Sequence, residues 1–328
     1  MDVQSSDRFE SPVHGSERVL VAGCGAIGTV FACLLAESGS RVEAIGRGAH
    51  FDAVRTAGME LEGIWGAHRG SLSHAHDDGR SAAGPFDAVL VTCKAFQTDA
   101  LLATLDPGCL AERGRVISLQ NGLGNVERVA NVFGAARTLG GRVIFGTEIA
   151  RPGCARVTVE AEPTLIGHPL HEHDEGAAYW AARFRKAGAP ADQAASIVAA
   201  LWAKVFYNAA LNPMGALLGL CYGDLPNDPE RRRVMDRVMD EAFAVATAEG
   251  VRLPWPDADA YRRHFYERLL PVTARHRSSM LQDLERGRPT EIDAITGEVC
   301  RRGDSHGVDV SANRVLLALV GSRAPGGQ

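Results

Sequence analysis

The sequence predicts an α/β fold: an N-terminal doubly wound parallel sheet followed by a C-terminal all-helical domain. In the first part of the chain, short apolar runs alternate with helix-length segments, as in a parallel sheet covered by helices on both faces. The first run, at 19–22, leads at once into a glycine-rich turn. From about Ala191 onward the apolar residues recur with helical spacing and without strand-like alternation.

The apolar runs fix the predicted elements and domain limits. Strands are expected at 19–22, 42–45, 88–92, 116–119 and 143–145, with a helix at 26–38, a strand pair within 153–167 and a last helix within 168–190. Helices are then expected at 196–220, 231–249, 257–268, 272–285, 292–306 and 313–320. The predicted domains are a disordered extension (1–17), a sheet domain (18–192), a helical domain (193–323) and a frayed tail (324–328).

Composition and charge exclude several classes of protein. A chain of 328 residues, 45% hydrophobic and 23% charged, suits two globular domains. Its net charge of -5 disfavours nucleic acid or an anionic membrane surface as a partner. The first residues are polar, and no apolar run is long enough to cross a membrane. A homodimer is an open possibility, since no interface pattern selects an oligomeric state.

The cysteines indicate a reducing compartment. There are seven, and none forms a CxxC pair, so the sequence predicts neither a disulfide framework nor a metal site. Reduced thiols are the natural state in the cytoplasm, which is therefore the expected location.

The glycine-rich turn predicts a dinucleotide site of the Rossmann type. Gly23 permits the tight turn, Gly25 lets a pyrophosphate approach the backbone, and Gly28 lets the helix pack closely on the strand. The helix N-terminus offers free N–H groups to phosphates. The predicted cofactor-binding residues of the turn are Gly23, Cys24, Gly25, Ala26, Ile27 and Gly28. The alternative is a glycine turn that only closes a strand–helix junction.

Arg47 predicts NADPH as the cofactor rather than NADH. An NAD site needs an acid about 20 residues after the glycine turn, on the ribose 2′-hydroxyl. Arg47 stands at that place, whereas Glu43 comes too early, inside the strand. A guanidinium there can bind a 2′-phosphate. The alternative is a solvated loop arginine.

Lys204, Asn208 and Asn212 are spaced to lie on one face of a helix with apolar neighbours. Such a face can line a cleft, or it can be a solvated side of the helix. Reduction of a carbonyl group requires an acid that stabilises and protonates the oxygen. A partly buried lysine meets that requirement, because burial lowers its pKa.

Five motifs together resemble the ketopantoate reductase (2-dehydropantoate 2-reductase) family over nearly the whole chain, from Arg18 to Val320. They are the glycine turn, Val91-Thr92-Cys93-Lys94, Gln120-Asn121-Gly122, the row Lys204, Asn208 and Asn212, and Ser278-Ser279-Met280-Leu281-Gln282-Asp283 with Thr290-Glu291-Ile292-Asp293. The resemblance implies NADPH-dependent reduction of 2-dehydropantoate to (R)-pantoate, in the route to pantothenate and coenzyme A.

The resemblance also implies roles for individual residues. Lys204 is the expected catalytic acid, and Glu291 is expected to orient the lysine and the cofactor. The residues expected at the substrate are Asn121, Asn208, Asn212, Ser279 and Asp283, and those expected near the cofactor include Lys94, Asn121 and Glu291. Without the family, Ser279 and Asp283 are equally compatible with a helix cap and a surface acid, Glu291 with a first-turn acid, and Lys94 with a surface lysine.

One departure from the family leaves the substrate open. Residues 147–160 lack the histidine that members often carry after the Pro-Gly turn, which affects the edge of the cleft. The same chemistry on a different 2-oxo acid or ketone, in a specialised biosynthetic pathway, is therefore the second hypothesis. A non-catalytic NADPH sensor is the third, and Lys204 and Glu291 argue against it, since a sensor needs no proton donor.

Overall fold

The computed structural model describes residues 17–323. The predicted disordered extension, apart from its last residue, and the predicted frayed tail lie outside the described residues. Glu17 is fully buried, and its carboxylate pairs with Arg183 and accepts a hydrogen bond from Tyr179. The folded sheet domain therefore includes Glu17, which the prediction places in the extension.

Strands and helices alternate in the first domain, and helices follow in the second. The strands of the described chain are β1 (Arg18–Ala22), β2 (Arg41–Ile45), β3 (Met59–Gly63), β4 (His68–Gly70), β5 (His74–His76), β6 (Phe86–Val91), β7 (Leu110–Ser118), β8 (Thr138–Arg142), β9 (Phe145–Arg151), β10 (Cys154–Glu160), β11 (Thr164–Gly167) and β12 (Ala191–Gln193). The α-helices are α1 (Ala26–Glu37), α2 (Gly48–Ala57), α3 (Thr98–Leu102), α4 (Asn125–Phe133), α5 (Glu175–Lys186), α6 (Ile197–Leu218), α7 (Pro229–Ala248), α8 (Ala258–His264), α9 (Leu270–Val272), α10 (Ser279–Glu285), α11 (Glu298–His306) and α12 (Ser311–Gly321). Within residues 17–323, two π-helical turns occur, at Phe265–Leu269 and Asp293–Gly297.

Eight strands form the main sheet, in the order β12-β11-β8-β7-β6-β1-β2-β5. Neighbouring strands are parallel except β8 and β11, which run antiparallel. The residues of β1 alternate between two apolar cores, with Val19 and Val21 in one and Leu20 and Ala22 in the other. This burial on both faces explains the unbroken apolar run. The predicted doubly wound sheet is confirmed, with one antiparallel junction that the apolar pattern does not show.

A second sheet, absent from the prediction, has the order β4-β3-β10-β9. Two sequence predictions are wrong here. The run 143–145 is not a strand, because its first two residues connect β8 to β9; a short apolar run is equally compatible with a buried connection, and Val143 is buried. The strand pair within 153–167 is divided, because β10 joins the second sheet and β11 the main sheet.

Helices α6 to α12 surround a separate core, whose largest buried side chains include Trp202, Phe206, Tyr261 and Phe265. The predicted all-helical second domain is confirmed. The predicted helix at 272–285 is interrupted between α9 and α10, and the one at 257–268 passes from α8 into a π turn. Apolar spacing does not reveal such breaks, because both sides of each break face the same core. No helix within residues 17–323 is long and apolar enough to cross a membrane.

Helix α6 joins the two domains. The predicted domain boundary between residues 192 and 193 falls inside β12, and α6 begins shortly after that strand. Ser196 caps α6, because its hydroxyl accepts the Ala199 N–H over 3.3 Å. A Cβ on Gly140 or Gly167 would lie 3.0 or 2.8 Å from Ile197. The first turn of α6 therefore packs directly on the sheet, and the rest of the helix extends among α7, α10 and α12.

Candidate active site

The glycine turn lies between β1 and α1, and each glycine satisfies a different constraint. Gly23 has a φ of 113°, and a Cβ on it would lie 2.3 Å from the backbone nitrogen of Cys93. A Cβ on Gly28 would lie 2.3 Å from the carbonyl oxygen of Gly23. At Gly25, by contrast, a Cβ would meet no atom within 4 Å. Its backbone faces open space at the N-terminus of α1, where free N–H groups favour a phosphate.

That open space belongs to a cavity of about 940 Å³ between the sheet domain and the helical domain. The carboxyl ends of β1, β6, β7 and β8 border it on one side, and α6 and α10 on the other. Every predicted site residue except Gly28 lines this cavity. Open α/β sheets bind ligands at this edge. Within the part of the chain that the structure describes, no cluster of His, Cys, Asp and Glu could hold a metal ion.

Arg47 lies at the end of the cavity beyond β2. Its side chain is exposed and has no ion-pair partner among residues 17–323. Glu43 is buried within β2 and is bound by Arg18 and His76. Glu43 is thus unable to reach a ribose hydroxyl, whereas the guanidinium of Arg47 is available to an anion.

Two other ionisable groups line the same end, and both are used within the protein. The ring of His50 lies 2.8 Å from the Thr29 hydroxyl and accepts the Gly153 N–H over 3.1 Å. Asp78 accepts the Arg80 N–H over 2.8 Å, at the start of a short turn. His50 therefore connects α2 to α1 and to the β9–β10 hairpin. Of His50, Asp78 and Arg47, Arg47 alone has no side-chain hydrogen bond within residues 17–323.

A chain of hydrogen bonds joins three predicted residues in the middle of the cavity. Lys204 Nζ donates to Oδ1 of Asn121 over 2.6 Å. Nδ2 of Asn121 donates to Oε2 of Glu291 over 3.1 Å. The oxygen and the nitrogen of the Asn121 amide are thus both hydrogen-bonded, and they hold Lys204 in a fixed position relative to the Glu291 carboxylate. This placement favours an orienting role for Asn121 over the predicted contact with substrate.

Ion pairs hold the carboxylates of Asp283 and Glu291, which line the cavity. Lys94, just beyond β6, lies 2.8 Å from Asp283 Oδ2 and 3.5 Å from Glu291 Oε2. The other oxygen of Asp283 pairs with Arg288 at 2.9 Å, and Oε1 of Glu291 accepts the Ala95 N–H over 3.0 Å. Asp283 is buried, so it is not a surface acid. Because its oxygens are occupied, its geometry favours fixing Lys94 over binding substrate.

The π turn after Glu291 fastens the loop that carries Asn121. The Leu123 N–H donates to the carbonyl oxygen of Ala294, within this turn, over 2.8 Å. Gly122 has a φ of 84°, and a Cβ on it would lie 2.1 Å from the same oxygen. This close approach requires glycine, and it accounts for the third residue of the Gln-Asn-Gly motif.

Asn208 and Asn212 lie on α6 and line the cavity together with Lys204, as their spacing predicts. Both are buried, so this face is not a solvated one. The Tyr222 hydroxyl donates to Oδ1 of Asn212. The Nδ2 group of Asn212 has no partner in the described chain and is left as a donor for a ligand.

Ser279 is the first residue of α10 and is exposed on the side of the cavity. The capping residue of this helix is Ser278, whose hydroxyl accepts the Leu281 N–H over 3.0 Å. The alternative that made Ser279 the helix cap is therefore wrong, and its hydroxyl remains accessible from the cavity.

The two lysines of the cavity have opposite pKa shifts. Burial lowers the pKa of Lys204 to about 7; the positive charge of Arg142 adds to this effect, and Glu291 opposes it. Burial also lowers the pKa of Lys94, but the carboxylates of Glu291 and Asp283 outweigh it and hold that pKa above its ordinary value. Lys204 is therefore the lysine that can release a proton near neutral pH.

Arg142 lines the cavity, although nothing in the sequence singles it out. It is the last residue of β8 and is buried, and its guanidinium pairs with Glu162 and donates to the Pro163 carbonyl oxygen over 3.1 Å. An arginine after two glycines at a strand end carries no local signal that separates it from a surface arginine. Its position depends on β11 lying antiparallel beside β8.

Comparison with known proteins identifies the family. The family model for ketopantoate reductase PanE/ApbA matches residues 19–169, and the model for its C-terminal part matches residues 196–324. A 2-dehydropantoate 2-reductase of Aquifex aeolicus is 33% identical over 308 residues, covering 92% of this chain and 96% of that protein. One of Archaeoglobus fulgidus is 31% identical over 304 residues, covering 93% and 97%.

Solved structures agree with this result. A PanE/ApbA family ketopantoate reductase from Ralstonia eutropha JMP134 is 35% identical, with a TM-score of 0.81 and coverage of 92% of this chain and 97% of that one. A D-mandelate dehydrogenase with NADH and anilino(oxo)acetate has a TM-score of 0.82 at 21% identity, with coverage of 93% and 98%, which shows a shared fold. From its sequence, its two domains and these relatives, the chain belongs to the ketopantoate reductase family of oxidoreductases.

Proposed function

We propose that this protein reduces 2-dehydropantoate to (R)-pantoate, with NADPH as hydride donor and Lys204 as general acid. The hydrogen-bonded chain from Lys204 through Asn121 to Glu291 carries the proposal. It borders the same cavity as the glycine turn, so a proton donor and a dinucleotide site share one cleft. The family relatives named 2-dehydropantoate 2-reductase support this substrate.

The cofactor end of the cavity fits a phosphorylated dinucleotide. The open space at Gly25, in front of α1, suits a pyrophosphate. The exposed guanidinium of Arg47 suits a 2′-phosphate, and the nearby acid in β2, Glu43, is buried and paired. When bound, the nicotinamide supplies the hydride. These features favour NADPH over NADH.

Lys204 supplies the proton that the substrate oxygen needs. Hydride addition to a carbonyl carbon leaves negative charge on the oxygen, which a positioned ammonium group stabilises and then protonates to the hydroxyl. One of the three N–H bonds of Lys204 is used by Asn121, so two remain for the substrate oxygen. A pKa of about 7 makes this transfer easy at neutral pH.

Uncharged donors surround the place where the rest of the substrate lies. The amides of Asn208 and Asn212 and the hydroxyl of Ser279 all face the cavity. They can hold a carboxylate and a hydroxyl group without adding a second acid beside Lys204. Lys94 stays charged between Asp283 and Glu291 and so keeps these carboxylates in place.

We expect the purified protein to oxidise NADPH in the presence of 2-dehydropantoate, because all the groups that this reaction requires face one cavity. The measurement is the loss of NADPH absorbance, beside a panel of other 2-oxo acids and with NADH as the cofactor control. Turnover of other 2-oxo acids but not of 2-dehydropantoate would move the assignment to the second hypothesis. Binding of NADPH without turnover of any ketone would favour the sensor.

The pH profile provides a second prediction. Since Lys204 must be protonated to act, kcat/KM for reduction should fall above a pH of about 7, by about tenfold per pH unit. Arg142→Gln removes a positive charge, so the pKa of Lys204 should rise and the fall should move to higher pH. Glu291→Gln removes a negative charge, so the pKa of Lys204 should be lower and the fall in kcat/KM should move to lower pH. The measurement is kcat/KM across pH, which reports the free enzyme.

Arg142→Lys is the matched control, because it keeps the positive charge and should leave the fall near its wild-type position. Shifts of the same sign in Arg142→Gln and Glu291→Gln would contradict the assignment of this pKa to Lys204. Melting temperature and NADPH affinity show whether each variant is folded.

A further inference from the structure

An exposed arginine of the helical domain lines the cavity, and its charge is not used within the protein. Four arginines of the described chain border this cavity. Arg142 and Arg288 form ion pairs with carboxylates. Arg47 and Arg286 are exposed, and neither side chain has a hydrogen bond or an ion pair among residues 17–323. Since Arg47 is the proposed contact of the 2′-phosphate, Arg286 is left as a second cation on the cleft.

The acids nearest to Arg286 in the sequence are already paired. Glu285 pairs with Arg277, and Asp283 holds two other cations. A Cβ on Gly287, the next residue, would meet no atom within 4 Å, so there is room for a ligand beside the backbone here. An exposed guanidinium next to open space binds a phosphate group well, because its N–H groups match two phosphate oxygens.

Helix α10 carries Arg286 away from the substrate end of the cavity. The helix begins beside α6, where a Cβ on Gly215 would lie 3.7 Å from Oγ of Ser278. Gly215 follows Asn212 by about one turn of α6, so Ser279 starts α10 near the proposed substrate amides. Arg286, which ends the helix, lies about two turns further along the axis, on the order of 10 Å from Ser279.

The middle of α10 is fixed against the sheet beside the glycine turn. Asp283 pairs with Lys94 at 2.8 Å. Lys94 follows Cys93, whose backbone nitrogen would lie 2.3 Å from a Cβ on Gly23. From its start to its end, α10 therefore passes from the substrate amides to the glycine turn. A nicotinamide dinucleotide has the same order of groups, because one ribose separates its reactive ring from its pyrophosphate.

We propose that Arg286 binds the pyrophosphate of NADPH from the helical domain, so that the bound cofactor joins the two sides of the cleft. The inference rests on the proposed function for its ligand. Residues 23–28 contain no cationic side chain, so the glycine turn offers the pyrophosphate only N–H groups and the partial charge of α1. The guanidinium of Arg286 supplies a full positive charge from the opposite side.

The other anionic groups in the cleft have different places. A 2-oxo acid carries its carboxylate directly on the keto carbon, so this group stays among the donors around Lys204, about two turns of α10 away from Arg286. The 2′-phosphate belongs to the end of the cavity beyond β2, where Arg47 lies. The pyrophosphate is therefore the anion that Arg286 fits best.

Calorimetric titration with NADPH and with NADH, in the absence of substrate, tests this contact. Arg286→Gln should weaken the binding of both cofactors by about tenfold, the lower end of the range for losing charge-assisted hydrogen bonds, because both carry the pyrophosphate. The ratio of the two affinities should keep its wild-type value, whereas Arg47→Asp should lower it. The loss in Arg286→Gln should shrink as salt is added, since salt screens charges at an exposed site.

Two control variants separate the contact from a general effect of charge. Arg286→Lys keeps the charge but loses the paired N–H groups, so it should recover part of the lost affinity. Arg268→Gln removes another exposed arginine of the helical domain, one that does not line the cavity, and should bind both cofactors as the wild type does. Melting temperatures show whether each variant is folded.

Unchanged affinity for NADPH in folded Arg286→Gln would overturn the inference and leave the proposed reductase intact. A loss confined to NADPH would assign Arg286 to the 2′-phosphate, and a loss confined to the 2-oxo acid would assign it to the substrate carboxylate. Either of these results would also overturn the contact with the pyrophosphate. Weaker binding of both cofactors in a protein that reduces no 2-oxo acid would support the contact and contradict the proposed function.

Discussion

Replacing Lys204 with alanine is expected to lower kcat for 2-dehydropantoate reduction by about two to four orders of magnitude, the usual effect of losing a general acid. NADPH should still bind, because Lys204 lies on α6, away from the glycine turn and Arg47. The measurements are steady-state kinetics and a direct titration with NADPH. Turnover that survives unchanged would show that another group donates the proton.

The same substitution should leave the fold intact and stabilise it at neutral pH. The pKa of Lys204 falls from 10.5 to about 7 on folding because burial disfavours the charged form. Between pH 7 and 10.5 the unfolded chain binds more protons than the native one. The charged lysine therefore destabilises the native state most below a pH of about 7, and this destabilisation fades as the pH rises towards 10.5. The gain in the free energy of unfolding of Lys204→Ala should fade over the same range.

Two further variants separate charge from proton donation. Lys204→Arg keeps a positive charge near the substrate oxygen but cannot release a proton at neutral pH, so it should remain strongly impaired. Lys186→Ala, which removes an exposed lysine at the end of α5, should behave like the wild type. Activity in Lys204→Arg close to the wild type would reduce the role of Lys204 to electrostatic stabilisation.

Arg47→Asp is expected to lower the ratio of kcat/KM for NADPH to that for NADH by about 10- to 100-fold, the range for losing charge-assisted hydrogen bonds. The aspartate repels a 2′-phosphate and can accept a hydrogen bond from the ribose 2′-hydroxyl of NADH. Kinetics with both cofactors, each over a full concentration range, provide the ratio.

Arg41→Asp is the matched control for this switch. Arg41 is also exposed, but it is the first residue of β2, at the end of the strand opposite to Arg47, and does not line the cavity. The charge change is identical, so any general electrostatic effect should appear in both variants. Equal losses with NADPH and NADH in Arg47→Asp would mean that Arg47 does not distinguish the two cofactors.

The sequence was most informative where a feature depends on neighbours along the chain. The run that forms β1, the glycine turn and the first helix were predictable to within a residue or two, because each glycine answers a local constraint. The single face of α6 with Lys204 and its asparagines follows from helical spacing. The remaining site residues, such as Glu291, were expected only from the family resemblance. In the structure these residues line one cavity.

The tertiary structure alone decided how these groups act on one another. Asn121 bridges Lys204 and Glu291, which are far apart in the chain, and the lowered pKa of Lys204 depends on Arg142 from a different strand. The second sheet and the π turns also arise from contacts that local spacing does not encode. Spacing fixes which face a side chain takes; long-range packing determines its partners, its exposure to water and therefore its charge.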